Sequence, residues 1–249
     1  MLLIILILLV IILFFSLKKK ESFRNNKPRI AVYSYNFGNF RKELNKNIDN
    51  FEKINQFDYY LYTDKNVKSK KWKIIKVPLQ QRTEHMNANR VTAKYYKWKH
   101  IPRELKKYDY ILHIDCARIK YLNNLSYNDI LNIIDKNKNK SYIGRKHPFL
   151  KNIYDECNKV KKVKVDSSNY VDLWEKKLLN EKVKIKANHI ETCIFIRKIN
   201  DNILSKKFEE IYEEIMKNKL CRDQLVFYYI IDKYNLYDKI TDTNKFNKL

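Results

Sequence analysis

The stretch KKYDYILHIDCARIK, Lys106 to Lys120, decides how the chain is read. Tyr108, Tyr110, Ile111, Leu112 and Ile114 make a nearly continuous apolar run, as expected of a strand buried on both faces. The run stops on a single carboxylate, Asp115, and goes on through Cys116, Ala117 and Arg118 with no second acid two residues later. Strands of that kind belong to parallel sheets, whose ligands gather beyond the C-terminal strand ends. Asp115 therefore stands where a ligand is met. An acid there can bind a ribose hydroxyl, hold a divalent metal or orient an acceptor.

Strands and helices alternate outward from this point. RIAVYSYNF, FDYYLYTD and WKIIKV read as three strands before it, and SYIG and IETCIFIRK as two after it. Helical spacing predicts helices in RKELNKNIDNFEKI, MNANRVTAKYYKWKH and YNDILNIIDK, the last opened by a capping box of Ser126 and Asp129. Four more follow in LKNIYDECNKVKK, YVDLWEKKLLNEK, ILSKKFEEIYEEIMK and RDQLVFYYIIDKY. Such alternation predicts an α/β fold, a mainly parallel sheet flanked by helices.

The ends of the chain differ in character. MLLIILILLVIILFFSL, residues 1–17, carries no charge and runs into Lys18, Lys19 and Lys20. As a helix it would be ~25 Å long, enough to cross a thin bilayer. It lacks the charged start and small-residue cleavage site of a signal peptide, so an N-terminal transmembrane anchor is the preferred reading. Three lysines on its C-terminal side would keep that side cytoplasmic, whereas an endomembrane enzyme of the ER or Golgi type needs it luminal; the orientation stays open. Residues 18–28 form a basic, polar linker, and 29–249 are long enough for one domain with a real core.

The formal charge of +24 points toward anionic partners. The lysines are scattered, however, and no nucleic-acid-binding motif accompanies them, so no specific nucleic acid is expected. The four cysteines form no CxxC pair and read as buried thiols. Neither GxGxxG nor GxxxxGK[ST] is present, so any bound phosphate must be met by side chains or a metal. Arg90 and Lys94, four apart on one helix face, are the candidates, with Arg82 in the loop before them. Asn36, Asp64 and Asp115 close three strands and should share a rim. Glu191 opens a buried strand and needs a partner; Asp223 stands where it can cap a helix.

In order along the chain, RIAVYSYNFGNF, DYYLYTD, NRVTAKYYKWKH, YDYILHID, HPFLKNIYDE, IETCIFIRK and CRDQLVFYYI resemble one family. It is the glycosyltransferase-like domain family named after plant pollen-tube and seed-mucilage proteins. The resemblance runs from about Arg29 to Asp232, and its most specific pieces are RDQL and the His147-Pro148 block ending in Tyr154, Asp155 and Glu156.

That resemblance implies a GT-A-like nucleotide-sugar fold with a UDP- or GDP-sugar as donor. Asp115 takes the place of the acid that many such enzymes carry as Asp-x-Asp, with Ala117 in place of the second acid. A chelate from two carboxylates on this turn is thus excluded. Mn²⁺ or Mg²⁺ is permitted but not demanded, with Asp115 as its one ligand. Otherwise Arg90, Lys94 and Arg118 stabilise the leaving diphosphate. The catalytic residues implied are Asp115, Asp223 and Glu191, the latter two as alternative bases if the reaction inverts. Asp64 joins the donor side, and His147, Asp155, Glu156 and Gln224 the acceptor side. The family's cysteine falls on Asn152 and its arginine on Leu150, so neither role carries over. His113, two residues before Asp115 on the same strand face, is expected to pack beneath the site rather than to ligate.

The function expected is a membrane-anchored glycosyltransferase acting on a glycan, protein or lipid acceptor. The alternatives are a non-catalytic basic protein tethering anionic surfaces, and a degenerate transferase fold used as a binding module.

Overall fold

The computed structural model describes residues 27–38, 48–184 and 189–248. Seven strands make one sheet in the order β3-β2-β1-β4-β6-β5-β7. They are β1 (Ile30–Tyr35), β2 (Asp58–Thr63), β3 (Lys73–Lys76), β4 (Tyr110–Ile114), β5 (Tyr142–Lys146), β6 (Ile190–Lys198) and β7 (Ile240–Thr243). β3, β2, β1 and β4 run parallel, β6 is antiparallel to both β4 and β5, and β7 is parallel to β5. The sheet is therefore mixed rather than mainly parallel throughout. The reason is β6, whose run TCIFI is buried among neighbours on both sides and reads the same in either direction.

Among the described residues six α-helices flank the sheet: α1 (Ala88–Lys94), α2 (Tyr127–Lys136), α3 (Ile153–Val163), α4 (Ser168–Asn180), α5 (Asn202–Lys217) and α6 (Gln224–Lys233). Local chemistry sets their starts. Ser126 Oγ accepts the Asp129 N–H at 3.1 Å while Asp129 accepts the Ser126 N–H at 3.1 Å, closing the expected box before α2. Asn152 accepts two N–H groups at the start of α3, and Asn87 accepts that of Arg90 at the start of α1. The helix expected through His100 stops being α-helical at Lys94 and continues as a π-helical turn, Tyr95–Lys99. Residues 48–54 are not helical, and the rest of that expected helix lies outside the described residues, as does the apolar segment 1–17. Among the described residues no helix is long and apolar enough to cross a membrane.

Side-chain alternation along the strands divides the core between the two faces. Trp98, Tyr142, Phe195, Phe208 and Phe227 pack on the face of α5 and α6. Val32, Leu112, Ile130, Ile133, Ile134 and Phe246 pack on the face of α2. Truncating one such aromatic, Phe227→Ala for example, costs ~3–5 kcal/mol, lost transfer energy and an unfilled cavity acting together. Both flanks of β4 and β6 are thereby fixed, and with them the groups at the sheet rim.

Candidate active site

The mixed sheet explains which residues meet. β1 and β4 are parallel, so their C-terminal ends share a rim; β6 runs the other way, so its beginning joins them. Asp115 donates its backbone N–H to the Cys193 carbonyl at 2.8 Å, which ties the two strands at that rim. Beside them lies a cavity of about 480 Å³, walled by the ends of β1 and β4, the start of β6, α1, α3 and the start of α6. Another cavity, about 390 Å³, lies between the Glu52–Gln56 loop and the start of α2, away from these acids.

Asp115 has two different oxygens. Oδ1 accepts from His113 Nε2 at 3.0 Å and from the Tyr35 hydroxyl at 3.4 Å, and lies 3.7 Å from the Lys97 ammonium. No described residue hydrogen-bonds to Oδ2, and the side chain is 36 % exposed on the cavity wall. Burial raises this carboxyl's pKa, but Lys97 and His113 outweigh it and leave it below the ordinary value. His113 is fully buried, and burial pushes its pKa down to about 4. It is therefore neutral, and it donates from Nε2 only as the tautomer protonated there. Asp115 is ionised, clamped on one side and open on the other.

Asp223 is the opposite case. Its Oδ1 meets Lys94 Nζ at 2.8 Å, and its Oδ2 meets Lys97 Nζ at 2.9 Å, Trp98 Nε1 at 3.0 Å and Thr192 Oγ1 at 3.2 Å. It stands before α6 but makes no side-chain cap there, having turned toward the lysines instead. Burial opposes its ionisation; Lys94 and Lys97 reverse this and hold the carboxyl well below the usual range. With both oxygens engaged and so low a proton affinity, it is badly suited to take a proton. It is suited to holding two ammonium groups in place.

Lys97 links the two acids. It is 3 % exposed, and although burial disfavours its charge, Asp115 and Asp223 raise its pKa and keep it an ammonium. The π-helical turn puts it there: Lys94, at the last turn of α1, and Lys97 reach the same carboxylate from opposite sides, while Trp98 dips into the core. Insertions of this kind recur at functional sites. Lys97 was not singled out in the sequence. The available signal was a lysine among Tyr95, Tyr96 and Trp98, with its neighbours due for burial.

Glu191 reaches the cavity at the start of β6, facing Arg145 across the strand pair with Oε2 at 3.1 Å from the guanidinium; no described residue hydrogen-bonds to its Oε1. Arg90, Lys94 and Arg118 also line the wall, with Lys159 and Arg222, so that counting Lys97 six cations face three carboxylates. Arg118 donates to the Tyr121 hydroxyl. Among the described residues no three His, Cys, Asp or Glu side chains converge as a metal-ligand set. For a dication the fit is poor: Asp115 offers Oδ2 alone, and an ammonium stands beside Oδ1.

The remaining expected residues divide. Gln224 is on the wall and buried. Asp64 is one strand away and accepts the Gly38 N–H at 2.7 Å, fixing the loop after β1, where Gly38 takes a positive φ of 62°. Glu156 is fully buried behind the wall, bonded to Arg222 Nε at 2.9 Å and 3.4 Å from His189. His147 Nδ1 accepts the N–H groups of Phe149 and Leu150, and Asp155 accepts that of Lys151; these two organise the turn into α3 and do not line the cavity. Arg82 is exposed and off the wall.

No protein-family profile matches the chain, and no curated protein matches it. The fold itself does have solved counterparts. It superposes on the apo structure of the bifunctional glycosyltransferase WbbM with a TM-score of 0.50 at 9 % identity, covering 88 % of this chain and 39 % of that one. The chain is thus an α/β protein with a glycosyltransferase-like fold, spanning about two-fifths of that neighbour's length.

Proposed function

We propose that the protein is a glycosyltransferase that takes a nucleoside-diphosphate sugar, with UDP or GDP as the nucleotide, into the cavity beside Asp115. The observation that carries this is the divided carboxylate: Oδ1 is fixed by His113, Tyr35 and Lys97, and Oδ2 is open to a cavity rich in cations. Tyr35 and Phe37, stacked with ring centroids 5.9 Å apart, give the end of β1 an apolar surface for the nucleoside. The diphosphate then meets Arg90, Arg118 and the buried ammonium of Lys97. In transfer, the acceptor hydroxyl oxygen bonds to the anomeric carbon as the bond from that carbon to the diphosphate oxygen breaks. The leaving diphosphate takes the electron pair, and fixed cations stabilise it without rearranging. The acceptor proton goes to Glu191, whose Oε1 takes no hydrogen bond from any described residue, rather than to Asp223. Lys97 takes over part of what a metal would supply, and Mn²⁺ or Mg²⁺ would be accessory, touching Asp115 Oδ2.

The ordered motifs also support kinship with the pollen-tube and seed-mucilage family, and residues 1–17 support an anchor in an endomembrane. The test is release of free UDP or GDP from a panel of nucleotide sugars by the full chain in detergent, with Glu191→Gln alongside. Saturable release of one nucleotide, reduced ~10²-fold or more in the variant, is expected of a lost general base. Absence of release from every donor, with salt-sensitive binding to anionic vesicles, would favour the tether instead.

A further inference from the structure

The part of the cavity wall formed by α3 and the start of α6 carries groups that the donor reading does not use. Here α3 and the segment entering α6 face each other across Lys159, Arg222 and Gln224. Arg222 is braced from behind: its Nε donates to the fully buried Glu156 at 2.9 Å, and its backbone N–H donates to Asp166 at 3.1 Å. The outer guanidinium nitrogens carry no hydrogen bond to any described residue, and the side chain is one-third exposed. Lys159 follows Glu156 by three residues on α3, which puts both on one helix face, and it lines the same cavity as Arg222. No described residue pairs with it.

Gln224 is the decisive group. It is 3 % exposed, and its Nε2 has no hydrogen-bond partner. A buried amide donor left unpaired costs stability, and a turn of this side chain toward the adjoining cavity lets a ligand acceptor satisfy it. Gln224 is also the first residue of α6, a helix of ten residues whose start Asp223 leaves uncapped. The Gln224 and Leu225 N–H groups, which donate to no described residue, and the positive end of the helix dipole add to the same place.

We infer that this part of the cavity wall binds a phosphate group carried by the acceptor. The inference rests on the transferase reading and names the acceptor's class. A tetrahedral phosphate offers three oxygens, and three kinds of donor are on hand: the two outer nitrogens of Arg222, the Lys159 ammonium and the Gln224 amide. Counting Glu156 behind Arg222, six cations face four carboxylates and a nucleoside-diphosphate sugar brings about two negative charges, so what is left for an acceptor is the unpaired donor atoms of Arg222, Lys159 and Gln224 rather than surplus charge. An uncharged acceptor would leave the braced guanidinium and the buried amide unmatched. The phosphate can belong to a sugar phosphate or to a lipid headgroup, the recognition chemistry being the same.

The test is calorimetry on the full chain in detergent, loaded with whichever of UDP or GDP it binds. Glucose 6-phosphate, glucose and dioctanoyl phosphatidic acid are titrated separately. At least one phosphate compound should bind saturably with the nucleotide retained, and glucose should not. Lys159→Gln should weaken that binding ~10-fold and leave nucleotide affinity within about twofold. Gln224→Leu should weaken it ~3- to 10-fold while raising or preserving the melting temperature of the free protein, because the unpaired amide is gone. The tighter of the two phosphate compounds identifies the source. Binding of glucose equal to that of its phosphate, one-for-one displacement of nucleotide by the phosphate compounds, or indifference to both variants would each overturn the inference. A protein that binds phosphate at this part of the wall but no nucleotide would refute the transferase reading alone.

Discussion

The end of β4 and the start of α6 each present one aspartate to the same cavity, and the two are built for different tasks. Asp223 is buried, with Lys94, Lys97, Trp98 and Thr192 occupying both its oxygens. Asp115 is one-third exposed, with every contact on Oδ1. A carboxylate that holds cations for others is a structural member of the site; one with a free oxygen over a cavity is available to a ligand. The two are joined by a single ammonium, so disturbing either should be felt at the other, but in different observables.

The largest effect is expected at the buried acid. Asp223→Ala leaves Lys94 and Lys97 without their counter-ion in the interior and should cost ~3–5 kcal/mol in denaturant unfolding. Asp115→Asn should cost no more than ~1 kcal/mol of stability, since an amide keeps an oxygen for His113. It should instead lower turnover by ~10²- to 10³-fold, as loss of a fixed charge at a reacting centre does. Equal stability losses in the two variants would erase the distinction drawn here.

Acid should sharpen it. His113 and His147 are both held near pKa 4 by burial, against 6.5 ordinarily. The unfolded chain therefore binds these protons first, so stability is complete above pH 6.5 and falls as pH drops toward 4, by about 3 kcal/mol for the fully buried His113 and by less for the partly solvated His147. Asp223 acts lower down: its depressed pKa adds stability above the unfolded carboxylate range, lost only as pH falls through its folded value. Unfolding free energy measured from pH 7.5 to 4 should decline over this window, and His147→Asn should remove one proton's worth of slope. A flat profile would contradict the burial assigned to both rings. The smallest effect is expected at Asp64, where Asn keeps an acceptor for the Gly38 N–H; stability should change by under ~1 kcal/mol.

Much of this fold could be read from apolar pattern alone. β1, β2, β4 and β6 announce themselves through buried runs of tyrosine and isoleucine, and α2 through its capping box. The direction of β6 could not be read, because a strand covered on both faces carries no mark of its polarity; yet that direction is what delivers Glu191, rather than Arg197, to the rim beside Asp115. β7 leaves no mark in the apolar pattern: ITDT is a short edge strand with one buried residue. At the site, the acids were visible because strand-end carboxylates after apolar runs are few. Lys97 was hidden among 52 basic residues, and only the π-helical turn after Lys94 shows that it points inward. Asp223 was legible as important but not in kind, since a cap and a buried counter-ion look alike before a helix.

The most direct test of the account is donor binding. UDP- and GDP-sugars titrated calorimetrically into the full chain, in EDTA throughout, should give saturable binding of one nucleotide to the wild-type protein. That binding should weaken at least tenfold in Asp115→Asn and in Lys97→Met, both still folded by circular dichroism. Binding that appears only when Mn²⁺ replaces EDTA, or that is indifferent to both substitutions, would contradict the claim that an open carboxylate and a built-in ammonium make this the donor site.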